Sequence, residues 1–425
     1  MLKRSIGLLE ATFYGVGIIL GAGIYALIGV GAGVAGNALW LAFIIGAIVA
    51  VFTGLSYAEL ASMYPKEAAE YEYTKQAFQR RGFSFVIEWV MFFTAVVSAT
   101  TVALGFAGYF TSLVGGSIPV IAAVLLILLS VLNYWGIKES ARFNMFATLL
   151  EIGGLLLVIA LGAYYVPKYT WGTVDFWAMN NGLVGVLSAT VLIFFAFIGF
   201  ENVANISEET KNARRVVPKA ILLSLGISVV LYVLVSLAAV GILGAEQLGQ
   251  SKAPLTEVVA KVLPNAGYVL TFIALFATSN TVLFILIVGS RLLYGMARNR
   301  SLPAICARVG ERGTPFFSVA VVGGLALAGL LLGSDITNVA LLTDVGIFLV
   351  YIGVNLALLV LRYKVPDSQR IYKAPFNIGK FSVTAFLGIV SCTVMLFFFE
   401  ARLVLYELLA IVVGVLLYFV FRKKE

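Results

Sequence analysis

The chain has 425 residues, 61% of them hydrophobic and only 12% charged, with a mean hydropathy of +1.03. A soluble domain carries about 25% charged residues, so this composition excludes a water-soluble particle and makes a bilayer the solvent. There are 29 Lys and Arg against 21 Asp and Glu, a net charge of +8, and no histidine. Proton chemistry is therefore left to carboxylates, lysines and tyrosines. Cys306 lies in a basic loop and Cys392 in an apolar run; neither fits a disulfide framework or a metal site, and no cofactor is expected.

A membrane-spanning helix needs about 20 mostly apolar residues. In chain order the sequence predicts twelve such spans: 11–34, 37–62, 84–113, 117–136, 142–166, 183–207, 217–244, 266–297, 315–333, 336–361, 381–399 and 402–421. The first follows Lys3 and Arg4, as a signal peptide would. It is too long for one and runs almost directly into span 2, so it reads as an uncleaved helix. If the spans alternate in direction, 25 of the 29 basic residues fall on the side that holds both termini. Basic loops stay cytoplasmic, so both termini are expected in the cytoplasm of a multi-pass plasma-membrane protein. The same bias explains the net positive charge and excludes nucleic acid as a partner.

Two spans carry glycine-rich interruptions. Span 1 reads Gly15-Val-Gly17-Ile-Ile-Leu-Gly21-Ala-Gly23-Ile24-Tyr25, and span 6 reads Phe194-Phe195-Ala196-Phe197-Ile198-Gly199-Phe200-Glu201. Glycine pairs often serve only close helix packing. Glu201 beside Gly199 favours a break, because a charge in hydrocarbon needs a cavity. Gly21 lies roughly 15 Å inside the terminal face at 1.5 Å per residue. The two spans run in opposite directions and are five spans apart, the pattern an inverted five-plus-five repeat produces. A break near Gly21 frees amides at the positive end of a helix dipole, which suits a carboxylate. A break near Gly199 frees carbonyls around Phe195, Ala196, Phe197 and Ile198, which suit an ammonium. A small zwitterion fits between them, and an α-amino acid is the simplest.

At these residues the sequence resembles the amino acid–polyamine–organocation superfamily, and is most similar to its cationic amino acid transporter branch and prokaryotic relatives. The resemblance rests on Gly-Ala-Gly-Ile-Tyr at 21–25, Tyr-Ala-Glu-Leu at 57–60 followed by Pro65, Gly136 to Asn144, Phe194 to Glu201 running into Glu208 to Asn212, and Ser290 to Asn299. It implies an all-α membrane fold of the LeuT type. Residues 1–166 and 183–362 would form the two inverted repeats, helices 1 and 6 would be broken, and 381–421 would add two helices. It implies that amides of Gly21, Ala22, Gly23 and Ile24 take the substrate carboxylate, and that carbonyls of Ile18, Phe195, Ala196 and Ile198 take the ammonium. It places the family's third-helix carboxylate on Glu88. The sequence departs from the pattern in span 5, where Glu151 stands at the position of a coupling lysine in several prokaryotic relatives.

The resulting expectation is a secondary active amino acid transporter with H+ as coupling ion. Glu151, Glu88 and Glu201 are its coupling or gating carboxylates, and a neutral packing role is open for each. A sodium-coupled symporter is the alternative, with Glu151, Thr278 and Ser279 as a possible Na+ site. An exchanger and a non-transporting amino acid sensor stand behind it. An enzyme would need a nucleophile–base pair or metal cluster and a channel a filter or charged ring, and the sequence suggests neither. Glu10 and Glu59 read as interface charges, and Glu400 and Glu407, in the two extra helices, have no expected transport role.

Overall fold

The computed structural model describes residues 4–21, 23–135, 141–310, 313–333 and 335–422, and the side chains of 141–144, 332 and 368 are left aside. Span 1 is two helices, α1 (Leu8–Leu20) and α2 (Gly23–Ala35), with an irregular turn at Gly21 between them. Then come α3 (Leu39–Met63), a short helix α4 (Ala69–Phe78), α5 (Arg81–Val114), α6 (Ile118–Trp135) and α7 (Ala141–Tyr165). Span 6 follows as α8 (Gly182–Ile193), a 3-10 turn at Phe194–Phe197, and a single helical turn, α9 (Asn202–Asn205). The second half holds α10 (Ala213–Leu243), two short helices α11 (Ala245–Gln250) and α12 (Pro254–Val262), α13 (Gly267–Arg298), α14 (Phe316–Gly329), α15 (Ile336–Lys364), α16 (Val383–Leu396) and α17 (Ala401–Phe421).

Helix covers the expected segments apart from the second half of span 6, and most ends agree within a few residues. Among the described residues ten helical segments are long and apolar enough to cross a membrane, while α14 and α16 are apolar but shorter. The sequence reading missed α4, α11, α12 and a small hairpin pairing Asn377–Ile378 with Phe381–Ser382. These elements are too short to show a periodic pattern and are held by docking. α4 packs on α5 and α15, and α11 packs on α2.

Large apolar side chains on α6 (Val124, Leu128), α10 (Val230) and α17 (Val412, Leu416, Val420) are exposed. In water such an apolar belt would be an interaction surface; around helices of spanning length it is a face for lipid. Polar groups are turned inward instead. The broken spans are fastened to each other at both ends. Ile6, before α1, bridges Thr210, after α9, and Gly36, after α2, bridges Met179, before α8. These two ties set the interruptions of spans 1 and 6 side by side.

Candidate functional site

The site grows out of the two interruptions. A Cβ on Gly23 would collide with the backbone of Ala196, so glycine lets the start of α2 approach the 3-10 turn of span 6. A Cβ on Gly21 would meet the Thr281 hydroxyl of α13. In span 6 the chain leaves the 3-10 turn extended at Ile198 and passes Gly199 at φ +129°, a conformation that glycine adopts without strain. The Gly199 amide, freed from the helix ladder, donates to Glu201 Oε2 at 2.9 Å. Tyr351 of α15 donates to the same oxygen at 2.9 Å, and Asn202 donates to Oε1 at 3.1 Å. Glu201 is thus a buried cap for the break, which satisfies a backbone donor that would otherwise be costly.

On the other side, the Tyr232 hydroxyl of α10 stands between the carbonyls of Ile19 and Ala196, at 2.5 and 2.8 Å. A hydroxyl has one proton, so these two carbonyls share a single donor. Carbonyls from both broken helices therefore converge on one point. Tyr25, in the first turn of α2, donates to the Glu151 carbonyl at 3.0 Å. The Glu151 side chain is buried, close enough to the hydroxyls of Tyr25 and Tyr232 to interact with both electrostatically, and its Oε2 has no hydrogen-bond partner among the described residues.

Between these parts lies a cavity of about 60 Å³. One water occupies roughly 10–15 Å³ by this measure, so the space suits a few waters or part of a small solute. Ile18, Gly23, Phe195, Ile198 and Glu201 lie in its wall, as does Asn202. Gly21, Ile24, Ala196, Phe197, Glu88 and Glu151 are buried but do not line it. Ala22 falls outside the described residues. Glu88 faces α13 near Gly295, and the adjacent Trp89 donates to Ala410 of α17 at 2.7 Å, so this stretch of α5 is buried between helices. Thr278 and Ser279 turn their hydroxyls back onto carbonyls of their own helix, at Ala274 (2.6 Å) and Phe276 (2.9 Å).

Sequence reasoning missed several residues. Tyr232 and the wall residues Thr94, Ser98 and Thr281 read as ordinary helix positions. Thr94 and Ser98 are four apart on one face of α5, a signal visible in hindsight. Asp344 of α15 is fully buried with its carboxyl facing the backbone of Phe195, and among the described residues neither oxygen is within full hydrogen-bond geometry of a donor. The rest of the wall is apolar, including Met91, Ile285, Val288, Leu292 and Ile347.

Helices of spanning length with a lipid-facing belt, arranged around a buried cavity where two helices break, define an integral membrane protein of the carrier class. The Amino acid permease family model matches residues 6–421, and the chain belongs to that family. It is 31% identical to the branched-chain amino acid permease BcaP of Bacillus subtilis (strain 168), over 100% of this chain and 94% of the relative. It is 28% identical to the methylthioribose transporter of the same organism, with the same coverage. It is also 29% identical to the vacuolar cationic amino acid transporter 4 of Arabidopsis thaliana, over 86% of this chain and 64% of the relative. The chain is an amino acid permease rather than an enzyme.

Proposed function

We propose that the protein is a secondary active transporter that carries an α-amino acid by alternating access. The observation that carries this reading is the meeting of the two broken helices: the start of α2 lies against Ala196, and carbonyls of Ile19 and Ala196 converge beside the cavity. In the bound state the amides of Gly23 and Ile24 would take the carboxylate, with that of Ala22, which lies outside the described residues; the Gly21 amide, expected to be free, instead donates to the Gly17 carbonyl at 3.0 Å. Carbonyls of Ile18, Phe195, Ala196 and Ile198 would take the ammonium, with the Tyr232 hydroxyl yielding its place. The apolar wall favours an apolar side chain, in keeping with the name of BcaP.

Twelve spans form this architecture in our reading, as a five-plus-five inverted repeat of the LeuT type followed by α16 and α17, in the plasma membrane with both termini cytoplasmic. The cavity lies toward the end of the bundle that holds the termini, since Leu292 is within two turns of the end of α13. On the far side Tyr109 donates to the Tyr25 carbonyl at 3.0 Å, and α11 packs over α2. The arrangement corresponds to a state that leans inward.

Coupling is assigned to a proton on Glu151. A carboxylate in hydrocarbon is costly when ionised, and water entering from one side lowers that cost, so two access states would differ in proton affinity. Sodium is the alternative ion. The Thr278 and Ser279 hydroxyls donate to carbonyls of their own helix, which leaves their oxygen lone pairs free for a cation. The relative named for methylthioribose keeps a second substrate class open, because that sugar offers neither a carboxylate nor an ammonium. Thermal-shift screening across amino acids and methylthioribose separates the two, since a ligand that binds the native state raises apparent stability. Stabilisation by a branched-chain amino acid supports the reading, and stabilisation by methylthioribose alone overturns it.

A further inference from the structure

Three carboxylates in the bundle carry oxygens without hydrogen-bond partners among the described residues: Glu151, Asp344 and Glu407. Glu407 lies on α17, a peripheral helix whose other large side chains mostly face outward, yet its own side chain is turned into the bundle and 1% exposed. Both of its oxygens are unpartnered, and so is the Thr94 hydroxyl of α5. The two meet at Gly346 of α15. Glu407 Oε1 is 3.3 Å from where a Cβ on Gly346 would sit, and Thr94 Oγ1 is nearer still. Thr94 lines the central cavity. The missing side chain at Gly346 thus leaves a carboxylate one layer behind Thr94, a residue of the cavity wall.

Among the described residues no cation is placed to neutralise Glu407. α17 packs on α5 and α15, and no charged group of either helix lies close enough to act on it. Glu88 of α5 is turned toward α13, Asp344 of α15 toward Phe195, and Tyr351 of α15 is bound to Glu201. Arg362 of α15 is paired with Glu59 of α3. On α17 itself, Arg402 pairs with the exposed Glu400. An ionised carboxylate with neither cation nor donor is costly in such a place, and a carboxyl that keeps its proton is far less so.

We propose that Glu407 is a second proton-binding site of the carrier, read through Thr94 and lying across the cavity from Glu151. α7, which bears Glu151, packs on α1, α10 and α13, whereas α17 packs on α5 and α15. When water fills the cavity beside Thr94, it takes the Glu407 proton. When substrate displaces that water, the departing water returns a proton to the carboxylate. The proposal rests on the transporter reading, with the site on a helix outside the expected repeat.

The test is proton uptake on substrate binding, measured with a pH indicator in weakly buffered detergent solution for the full chain. Glu407→Gln keeps the shape and removes the titration, so uptake should fall by about one proton per amino acid bound while binding persists. Thr94→Val should slow or reduce the same uptake. In the wild type, infrared difference spectra should show a protonated-carboxyl band growing on substrate addition, and Glu407→Gln should lack that part of it. Unchanged uptake and unchanged spectra in Glu407→Gln would overturn the proposal and leave the transporter reading standing. A Glu407→Gln that loses only cationic amino acids would assign the carboxylate to substrate and also overturn it. A wild type that binds no amino acid would remove both.

Discussion

At the residue scale, the two interruptions need their glycines for different reasons. Gly199 is required by its positive φ, whereas Gly23 is required because another backbone occupies the space of its side chain. The sequence motif suggested bare amides open to a ligand. The structure adds that Gly23 is also a packing contact between the broken helices. Gly23→Val is therefore expected to lower stability by about 1–3 kcal/mol, the usual cost of overpacking, and to weaken substrate binding. Thermal unfolding of the purified protein, with and without substrate, reads both effects, and an unchanged melting temperature would contradict the contact. Tyr232→Phe removes the one donor shared by two buried carbonyls. A loss of about 1–3 kcal/mol is expected, because those carbonyls are left unsatisfied. Addition of the amino acid, whose ammonium can replace the hydroxyl, should restore part of it.

At the scale of elements, α4 illustrates what a loop helix contributes. Its Glu70 is buried, and Tyr57 of α3 donates to it at 3.0 Å. The Ala69 amide donates to Asn205 at the end of span 6, so α4 ties the end of that span to α3. Burial foremost, with the nearby Glu201 charge adding, raises the Glu70 carboxyl to about 7. A carboxyl raised in the folded state contributes stability at low pH that is lost as pH rises through the folded value. The docking of α4 should accordingly loosen as pH climbs from about 5 to 8, seen as falling amide protection factors in 69–78, after correction for the intrinsic rise of exchange with pH. Glu70→Gln should make those protection factors independent of pH over the same range, and a variant that still responded would place the titration elsewhere.

The spanning helices were legible because hydrophobic run length is a strong signal, and the breaks were legible from Gly21, Gly23 and Gly199. The second half of span 6 was not. A single short turn, α9, replaces the expected helix; in the 3-10 turn before it Phe194 packs against Phe348 and Tyr351, and Phe197 against Tyr232. Three phenylalanines in a membrane span look the same in sequence whether helical or unwound. Likewise Thr94, Thr281 and Tyr232 gain meaning only from what they face, which depends on helices far away in the chain. Glu59 read as an interface charge, yet it is buried between Arg362 and Arg370 and also accepts the Ala374 amide.

For the whole molecule, the proposed cycle uses the cavity, the paired breaks and the lipid-facing belt, with substrate and a proton moving together. Glu151→Gln fixes the neutral form of that side chain. It should still bind amino acid but lose accumulation driven by an inward pH gradient, and full pH-driven accumulation in this variant would remove Glu151 from the coupling.

The most direct test of the central claim, that the broken helices hold both ends of a zwitterion, is uptake of a labelled branched-chain amino acid into proteoliposomes. Competitors would be its methyl ester, its deaminated analogue and the unlabelled amino acid. Saturable uptake blocked by the free amino acid and hardly affected by either analogue is the predicted result. Competition by an analogue lacking one charge as strong as that of the intact amino acid would contradict the account.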